Sequence, residues 1–328
     1  MIITRTPLRM SFVGGGSDLP SFYRRHGGAV VSAAVDKYVY VNINKKFDDG
    51  VRVAYSKTEE VGSVAEIEHP LVRATFEMLG VPGGVEITTI ADIPSRGTGL
   101  GSSSSFTVGL INALAAFQGR PISPDDLGRQ SCRVEIELCG EPIGKQDQYA
   151  SAFGGLNLIE FKQDDSVLVS PLVMPSALRD QLFGRVVVFY TGVTRSASGI
   201  LRGQSSAVAT DAAKQAALKR MVELAYELRD ELGRGSLDSF GEILDANWRL
   251  KRTLAAGITS QAIDGWYARA KSCGALGGKL LGAGAGGFLM FYAPEETHAA
   301  LEAALSPLRR VSFGLDPQGS RIVFYNPH

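Results

Sequence analysis

Cysteine is scarce in this chain: 328 residues hold three, Cys132, Cys139 and Cys273, with no CxxC pair. That argues against a disulfide scaffold or a cysteine-based zinc site, and it fits a reducing, cytoplasmic setting. The four histidines, His26, His69, His298 and His328, are scattered, and no metal-ligand spacing links them. Charge of one sign is lacking as well. The 34 basic residues balance 34 acidic ones, so no global field exists to hold nucleic acid or an anionic membrane, and any anion site must be a local device. No stretch approaches the roughly 18 apolar residues of a membrane span. The N-terminal MIITRTPLRMSF carries Arg5 and Arg9 where a signal peptide would have an apolar run. The GxxxxGK[ST] motif is missing, which excludes a P-loop enzyme. Repeats and low-complexity linkers are missing too. A soluble, cytoplasmic protein is expected, with neither nucleic acid nor membrane as partner.

Hydrophobic residues make up 45% of the chain and charged residues 21%, the balance of an ordinary globular protein long enough for two domains. Ala29 to Val35 and Tyr38 to Ile43 read as adjacent strands, and Val85 to Ile90 as another. Ser103 to Phe117 has apolar residues at helical spacing and stops at Gly119-Arg-Pro121. Ser123-Pro124-Asp125-Asp126 opens a second helix with a capping serine, a first-turn proline and acids near the positive dipole end. Leu156 to Phe161 and Val167 to Val169 read as a hairpin. After the short strand Arg185 to Tyr190 come a helical tract from about Ala207 to Leu232 and helices near Phe240 to Leu254 and Ile263 to Ser272. The strand Phe288 to Tyr292, a helix near Glu295 to Leu305 and closing strands at Arg310 to Phe313 and Arg321 to Tyr325 follow. Two α+β domains are expected, 1–175 and 176–328, with the boundary inside the 170–184 stretch.

Three segments concentrate glycine: Val13-Gly-Gly-Gly-Ser-Asp18, Gly97-Thr-Gly-Leu-Gly-Ser-Ser-Ser-Ser105 and Gly282-Ala-Gly-Ala-Gly-Gly287. The middle one joins a strand to a helix. A glycine loop feeding a helix N-terminus exposes consecutive N–H groups and the positive dipole end, a cradle for nucleotide phosphates. Its serines can bond phosphate oxygens or ligate Mg²⁺. The plainer reading is a Ser-Gly turn capping a core helix; five glycines and serines in tandem, Gly101 to Ser105, favour the cradle. The third segment formally matches GxGxxG, yet a strand follows it instead of a helix, so it is no dinucleotide fingerprint. A tight turn and a loop touching the phosphate cradle both remain open for it. Glu135 and Gly144-Lys-Gln-Asp-Gln148 form an acidic constellation. Asp147, flanked by donors, suits a general base facing a hydroxyl; a solvated helical aspartate is the alternative.

In this order the segments resemble the motifs of the GHMP small-molecule kinases, the family of galactokinase, homoserine kinase and mevalonate kinase. The first motif is similar to Arg5-Thr-Pro-Leu-Arg-Met-Ser-Phe-Val-Gly-Gly-Gly-Ser-Asp18, the phosphate loop to Pro94-Ser-Arg-Gly-Thr-Gly-Leu-Gly-Ser-Ser103, and the third motif to Lys279-Leu-Leu-Gly-Ala-Gly-Ala-Gly-Gly287. The resemblance runs from residue 5 to about residue 290. It implies an α+β, two-domain GHMP kinase fold: an N-terminal domain with a left-handed βαβ unit, a C-terminal ferredoxin-like domain, and ATP and acceptor between them. It assigns Asp147 as the base and Arg9 as the basic group near the reacting atoms. Gly97, Gly99, Leu100, Gly101, Ser102, Ser103 and Ser104 take the nucleotide phosphates, and Ser103 with Glu135 takes Mg²⁺.

The departures from galactokinases concern the acceptor. Gly15-Gly16 stands where galactokinases carry Glu-His, while Ser17 and Asp18 are kept, so sugar contacts are lost and space is gained. Lys145, two residues before the base, suggests an anionic acceptor, a solvent-facing lysine being the alternative. Arg195, in Thr191-Gly-Val-Thr-Arg-Ser196, is a second candidate cation, and Gly284 is placed against the ligand by the third motif. Gly-Gly-Gly-Ser-Asp-Leu-Pro with Gly-Lys-Gln-Asp-Gln-Tyr-Ala looks most like bacterial D-glycero-D-manno-heptose 7-phosphate kinases, which make heptose 1,7-bisphosphate for surface polysaccharide. The partners so implied are ATP and a sugar phosphate, with a homodimer open to the chain. L-fucose or another free sugar is the rival acceptor, and a catalytically silent sugar sensor the rival class. The intact Asp147, Glu135 and phosphate loop argue for the enzyme.

Overall fold

In the computed structural model, which describes residues 1–93, 97–193 and 197–326, the backbone pairs into two sheets that meet at one end of the first strand. The first half runs β1 (Ile2–Val13), α1 (Pro20–His26), β2 (Gly28–Lys45), β3 (Val51–Ala54), β4 (Thr58–Val61), α2 (Pro70–Leu79), β5 (Val85–Ala91), α3 (Ser102–Phe117), α4 (Pro124–Cys132), α5 (Gln146–Phe153), β6 (Leu156–Phe161) and β7 (Val167–Pro171). The second half runs α6 (Ser176–Gly184), β8 (Val186–Tyr190), α7 (Ala197–Thr210), α8 (Ala212–Gly233), α9 (Phe240–Lys251), α10 (Gln261–Ser272), β9 (Gly277–Leu280), β10 (Phe288–Tyr292), α11 (His298–Leu305), β11 (Arg309–Val311) and β12 (Arg321–Tyr325).

The first sheet is ordered β12-β1-β2-β5-β3-β4, with β6 on β2 and β7 on β6. The two strands expected at Ala29–Val35 and Tyr38–Ile43 are one, β2. No glycine or proline breaks the Val35-Asp-Lys-Tyr38 link, and both halves pair with β1, whose partner jumps from Tyr38 to Val35 between Pro7 and Leu8. That bulge bends β2, so its first half pairs β6 and its second half β5. Among the described residues β3 and β5 form the parallel pair, with β4 and α2 in the connection. Helix α3 is buried along nearly its whole length, because it lies on β1 and β2 with α4 and α5 behind it. The packing is close: a methyl group at Gly109 would lie 2.8 Å from Thr6 Oγ1.

The second sheet is antiparallel, β11-β8-β10-β9. In chain order that is 4-1-3-2, the ferredoxin-like arrangement. The helical tract expected over Ala207–Leu232 is broken at Asp211, whose carboxylate caps α8 by accepting from Ala213 N at 2.9 Å. The sheets share a core through Phe12 on β1, Phe240 on α9 and Tyr292 on β10, with ring centroids 5.4 and 4.6 Å apart. The expected division after residue 175 falls between β7 and α6, and β12 returns to pair with β1. No helix among the described residues is long and apolar enough to cross a membrane.

Candidate active site

A cleft of about 590 Å³ opens where the two sheets meet, lined by the turn after β1, the turn before α3, the start of α5, and residues of α7, α9 and the β9–β10 turn. Its floor is the glycine-serine loop. Gly101 caps α3 at φ 76°, a left-handed conformation that glycine adopts without strain, and no side chain caps the helix. The first-turn amides of a buried helix are thereby left for a ligand. Gly99 is equally constrained: a methyl there would lie 2.3 Å from the Leu281 carbonyl oxygen, and one at Gly282 would lie 2.4 Å from Gly99 Cα. The third glycine segment thus backs the second, glycine against glycine. Gly97, Gly99, Gly101, Ser102, Ser103 and Ser104 all face the cleft.

Asp147, in the first turn of α5, meets Arg9 from β1 in a two-pronged pair: Nε donates to Oδ1 at 2.7 Å and Nη2 to Oδ2 at 2.8 Å. The third prong, Nη1, donates to Gly99 O at 2.6 Å, and Arg9 N donates to Leu100 O at 3.0 Å. One buried guanidinium therefore fixes both the carboxylate and the glycine loop. Gly101 stands so close that a methyl there would lie 3.1 Å from Asp147 Oδ2.

Glu135 sits on a π-helical turn, Arg133–Leu138, that continues α4. Its carboxylate is fully buried and accepts from Ser103 Oγ at 3.0 Å and from Gln148 Nε2 at 2.6 Å. Burial pushes its pKa up to about 7, against the opposing pull of Ser104, Gln148 and Ser103. A buried carboxylate at a cleft wall whose hydrogen-bond donors are neutral fits a cation. Among the described residues no group of three or more His, Cys, Asp or Glu could hold a metal. A Mg²⁺ that keeps waters and shares phosphate oxygens needs only one or two protein ligands, so Glu135 with Ser103 suits it. Asp18 is buried in the turn after β1. It accepts from Gly16 N at 2.9 Å and from Gln146 N and Nε2 at 3.3 and 3.4 Å. Burial, and then the Asp147 charge, raise its pKa.

Comparison with known proteins settles the lineage. The GHMP kinases N terminal domain model matches residues 66–155 and the GHMP kinases C terminal model residues 228–310. The D-glycero-alpha-D-manno-heptose 7-phosphate kinase of Campylobacter jejuni is 30% identical over 303 residues, which is 89% of each chain. The chain belongs to the GHMP kinase family. The L-fucokinase/L-fucose-1-P guanylyltransferase of Bacteroides fragilis is 27% identical, over 89% of this GHMP kinase but 34% of that longer protein. The crystal structure of a D-glycero-D-manno-heptose 1-phosphate kinase from Bacteroides thetaiotaomicron aligns with a TM-score of 0.81 at 25% identity, covering 99% of this chain and 100% of that one. Family membership makes the chain an ATP-dependent kinase.

The kinase fold places several expected site residues away from the cleft. Ser17 is fully buried; its Oγ donates to Ala29 O and accepts from Ala29 N, each at 3.1 Å, so it ties the turn after β1 to β2. The Leu100 side chain is in the core. Gly284 does not line the cleft; a methyl there would lie 2.6 Å from Ile258 Cα, while Gly282 and Ala283 face inward. Lys145 turns away: its ammonium donates to Asp165 O at 2.8 Å, pairs with Asp165 Oδ1 at 3.3 Å and sits over the Tyr23 ring. Arg195 lies outside the described residues. Gly15, Gly16 and Asp18 do line the cleft.

Among the described residues the cations on the cleft wall besides Arg9 are Lys251, from the end of α9, and Lys279, from β9. Lys279 is the more legible of the two, since a charge within Gly277-Gly-Lys-Leu-Leu281 interrupts an otherwise small and apolar strand. Lys251 carries no such mark; in sequence it is one more lysine at a helix end.

Proposed function

We propose that this GHMP kinase transfers the γ-phosphate of ATP to the anomeric hydroxyl of D-glycero-D-manno-heptose 7-phosphate, in the cytoplasm and with Mg²⁺ as its metal. The observation that supports the chemistry is the convergence of three devices on one cleft: the uncapped start of α3, the Glu135–Ser103 pair, and Asp147 held by Arg9. The acceptor rests on the 30% identity to the Campylobacter enzyme across 89% of the chain.

In this reading the amides of Ser102 to Ser104 and the α3 dipole hold the β- and γ-phosphates. Mg²⁺ bound by Glu135 and Ser103 would neutralise charge on the transferring group. Asp147 accepts the proton of the attacking hydroxyl as its oxygen bonds to phosphorus, and the bond from the γ-phosphorus to the bridging oxygen breaks to release ADP. The side chains position and stabilise, which is most of what a loose phosphoryl-transfer transition state asks of a protein. Arg9 contributes by aiming both Asp147 oxygens and clamping Gly99.

A second reading, an L-fucose 1-kinase, is favoured by the match of 89% of the chain to the Bacteroides fragilis protein. Coupled ADP release with heptose 7-phosphate, L-fucose, galactose and mannose decides between them. The highest kcat/KM is expected with heptose 7-phosphate; a higher value with fucose would establish the second reading and overturn the first.

A further inference from the structure

The cleft wall around Gly15 and Gly16 carries polar atoms without partners. Ser11 Oγ, Gln146 Oε1 and Gln204 Nε2 are buried and have no hydrogen-bond partner among the described residues. They converge on the two glycines. A methyl at Gly15 would lie 3.5 Å from Ser11 Oγ and 3.9 Å from Gln146 Oε1, and one at Gly16 would lie 2.3 Å from Gln204 Nε2 and 3.2 Å from Lys251 Nζ. Ser11, Gln146 and Lys251 line the cleft here, while Gln204, fully buried, packs behind Gly16 in the place a side chain would take.

Lys251 is the charged member. It is 5% exposed, and its ammonium donates to Gly15 O at 3.2 Å and Gln204 Oε1 at 3.1 Å. Both partners are neutral oxygens, and the third N–H remains to be used. Burial lowers its pKa to about 8, with Asp18 pulling the other way and Arg9 adding to the fall. A desolvated ammonium on the cleft wall with a donor to spare is a receptor for an anion, and Gly15 O and Gln204 Oε1 hold it in place. Lys279 is differently committed, donating to the β1 carbonyls of Ser11 at 2.7 Å and Phe12 at 3.2 Å. Lys145 is held by Asp165.

Resting on the sugar-phosphate reading above, we propose that Lys251, held in place by Gln204, binds the acceptor's own phosphate, the end remote from the hydroxyl at Asp147, and so separates a phosphorylated acceptor from its free sugar. Gly16 is required for this, because a methyl there would lie 2.3 Å from Gln204 Nε2 and displace the amide that holds Lys251.

The test is steady-state kinetics with heptose 7-phosphate and unphosphorylated heptose on wild type, Lys251→Met and Gln204→Glu. Lys251→Met keeps the apolar stem and removes the charge. Gln204→Glu keeps shape and sets a carboxylate against the Lys251 ammonium, neutralising it, so it decides the matter should the methionine variant not fold. Each variant is expected to raise KM for heptose 7-phosphate about tenfold or more, the effect of losing one charged hydrogen bond, to hold KM for ATP, and to lose the preference for the phosphorylated sugar. Folded variants that keep the wild-type preference would overturn the assignment of Lys251 and Gln204. A wild-type enzyme that treats both sugars alike would instead overturn the sugar-phosphate reading, and the assignment with it.

Discussion

Replacing Glu135 by Gln should make the ligand-free protein more stable while damaging its activity, and the size of the gain should depend on pH. The folded carboxyl holds its proton up to about pH 7, whereas an ordinary glutamate releases it near 4.5. Below about 4.5 both folded and unfolded states are protonated, and Glu135 imposes no penalty. Between 4.5 and 7 the unfolded state gives up the proton that the folded state keeps, so stability falls as pH rises. Above 7 the loss is complete, roughly 3 kcal/mol at about 1.4 kcal/mol per pKa unit. Glutamine has no charge to bury and can still accept from Gln148 Nε2 and donate to Ser103 Oγ, the two contacts made by the native side chain. Unfolding free energies from urea titrations between pH 4 and 8 should therefore nearly coincide at the acid end and separate by up to about 3 kcal/mol in favour of the variant at the alkaline end. Mg²⁺ with ATP should raise the wild-type midpoint more than the variant's, since only the carboxylate gains a cation. Parallel pH profiles for the two proteins would refute the reasoning, because they would mean that Glu135 is not an uncompensated buried acid.

Asp147→Asn keeps the shape but cannot take a proton, so kcat should fall by roughly 10²–10⁴ with KM for ATP little changed; activity within a few-fold of wild type removes Asp147 from the chemistry. Gly99→Ala sets a methyl 2.3 Å from Leu281 O at φ 79°, so the two glycine turns must part; a higher KM for ATP and a lower melting temperature are expected, and wild-type values would show that the turns are not in register. Lys145→Ala removes the pairing with Asp165 and the contact with the Tyr23 ring but touches nothing in the cleft. KM for the sugar should hold, and a tenfold rise would return Lys145 to the acceptor site.

Local chemistry was readable where it acts locally. Ser123 was legible as a helix cap and accepts from Asp126 N at 3.1 Å, because capping is decided within four residues. The glycine-serine run was legible as the start of α3, since left-handed turns leave few alternatives to glycine. What could not be read is which way a long side chain turns. Lys145 and Lys251 are each a lysine at a helix end; one is drawn off by Asp165, twenty residues on, and the other is buried beside Gln204 by the packing of α7 against the turn after β1. The polar role of Gln204 has no sequence mark at all. The third glycine segment was ambiguous for the same reason: its contact with Gly99 joins residues some 180 apart, a distance over which periodicity says nothing.

The pairing of β1 with β12 bears on how the molecule is made. Ile2 has Tyr325 as its register partner, so β1 leaves the ribosome well before β12 and waits for it. At about 5–20 residues per second that wait is roughly 15–60 s, during which β2 can zip onto one side of β1 while the other edge stays open, a hydrophobic template for misplaced strands. A chain cut short before Arg321 would possess every described residue of the cleft and still expose that edge. Its solubility rather than its chemistry would betray the loss of β12.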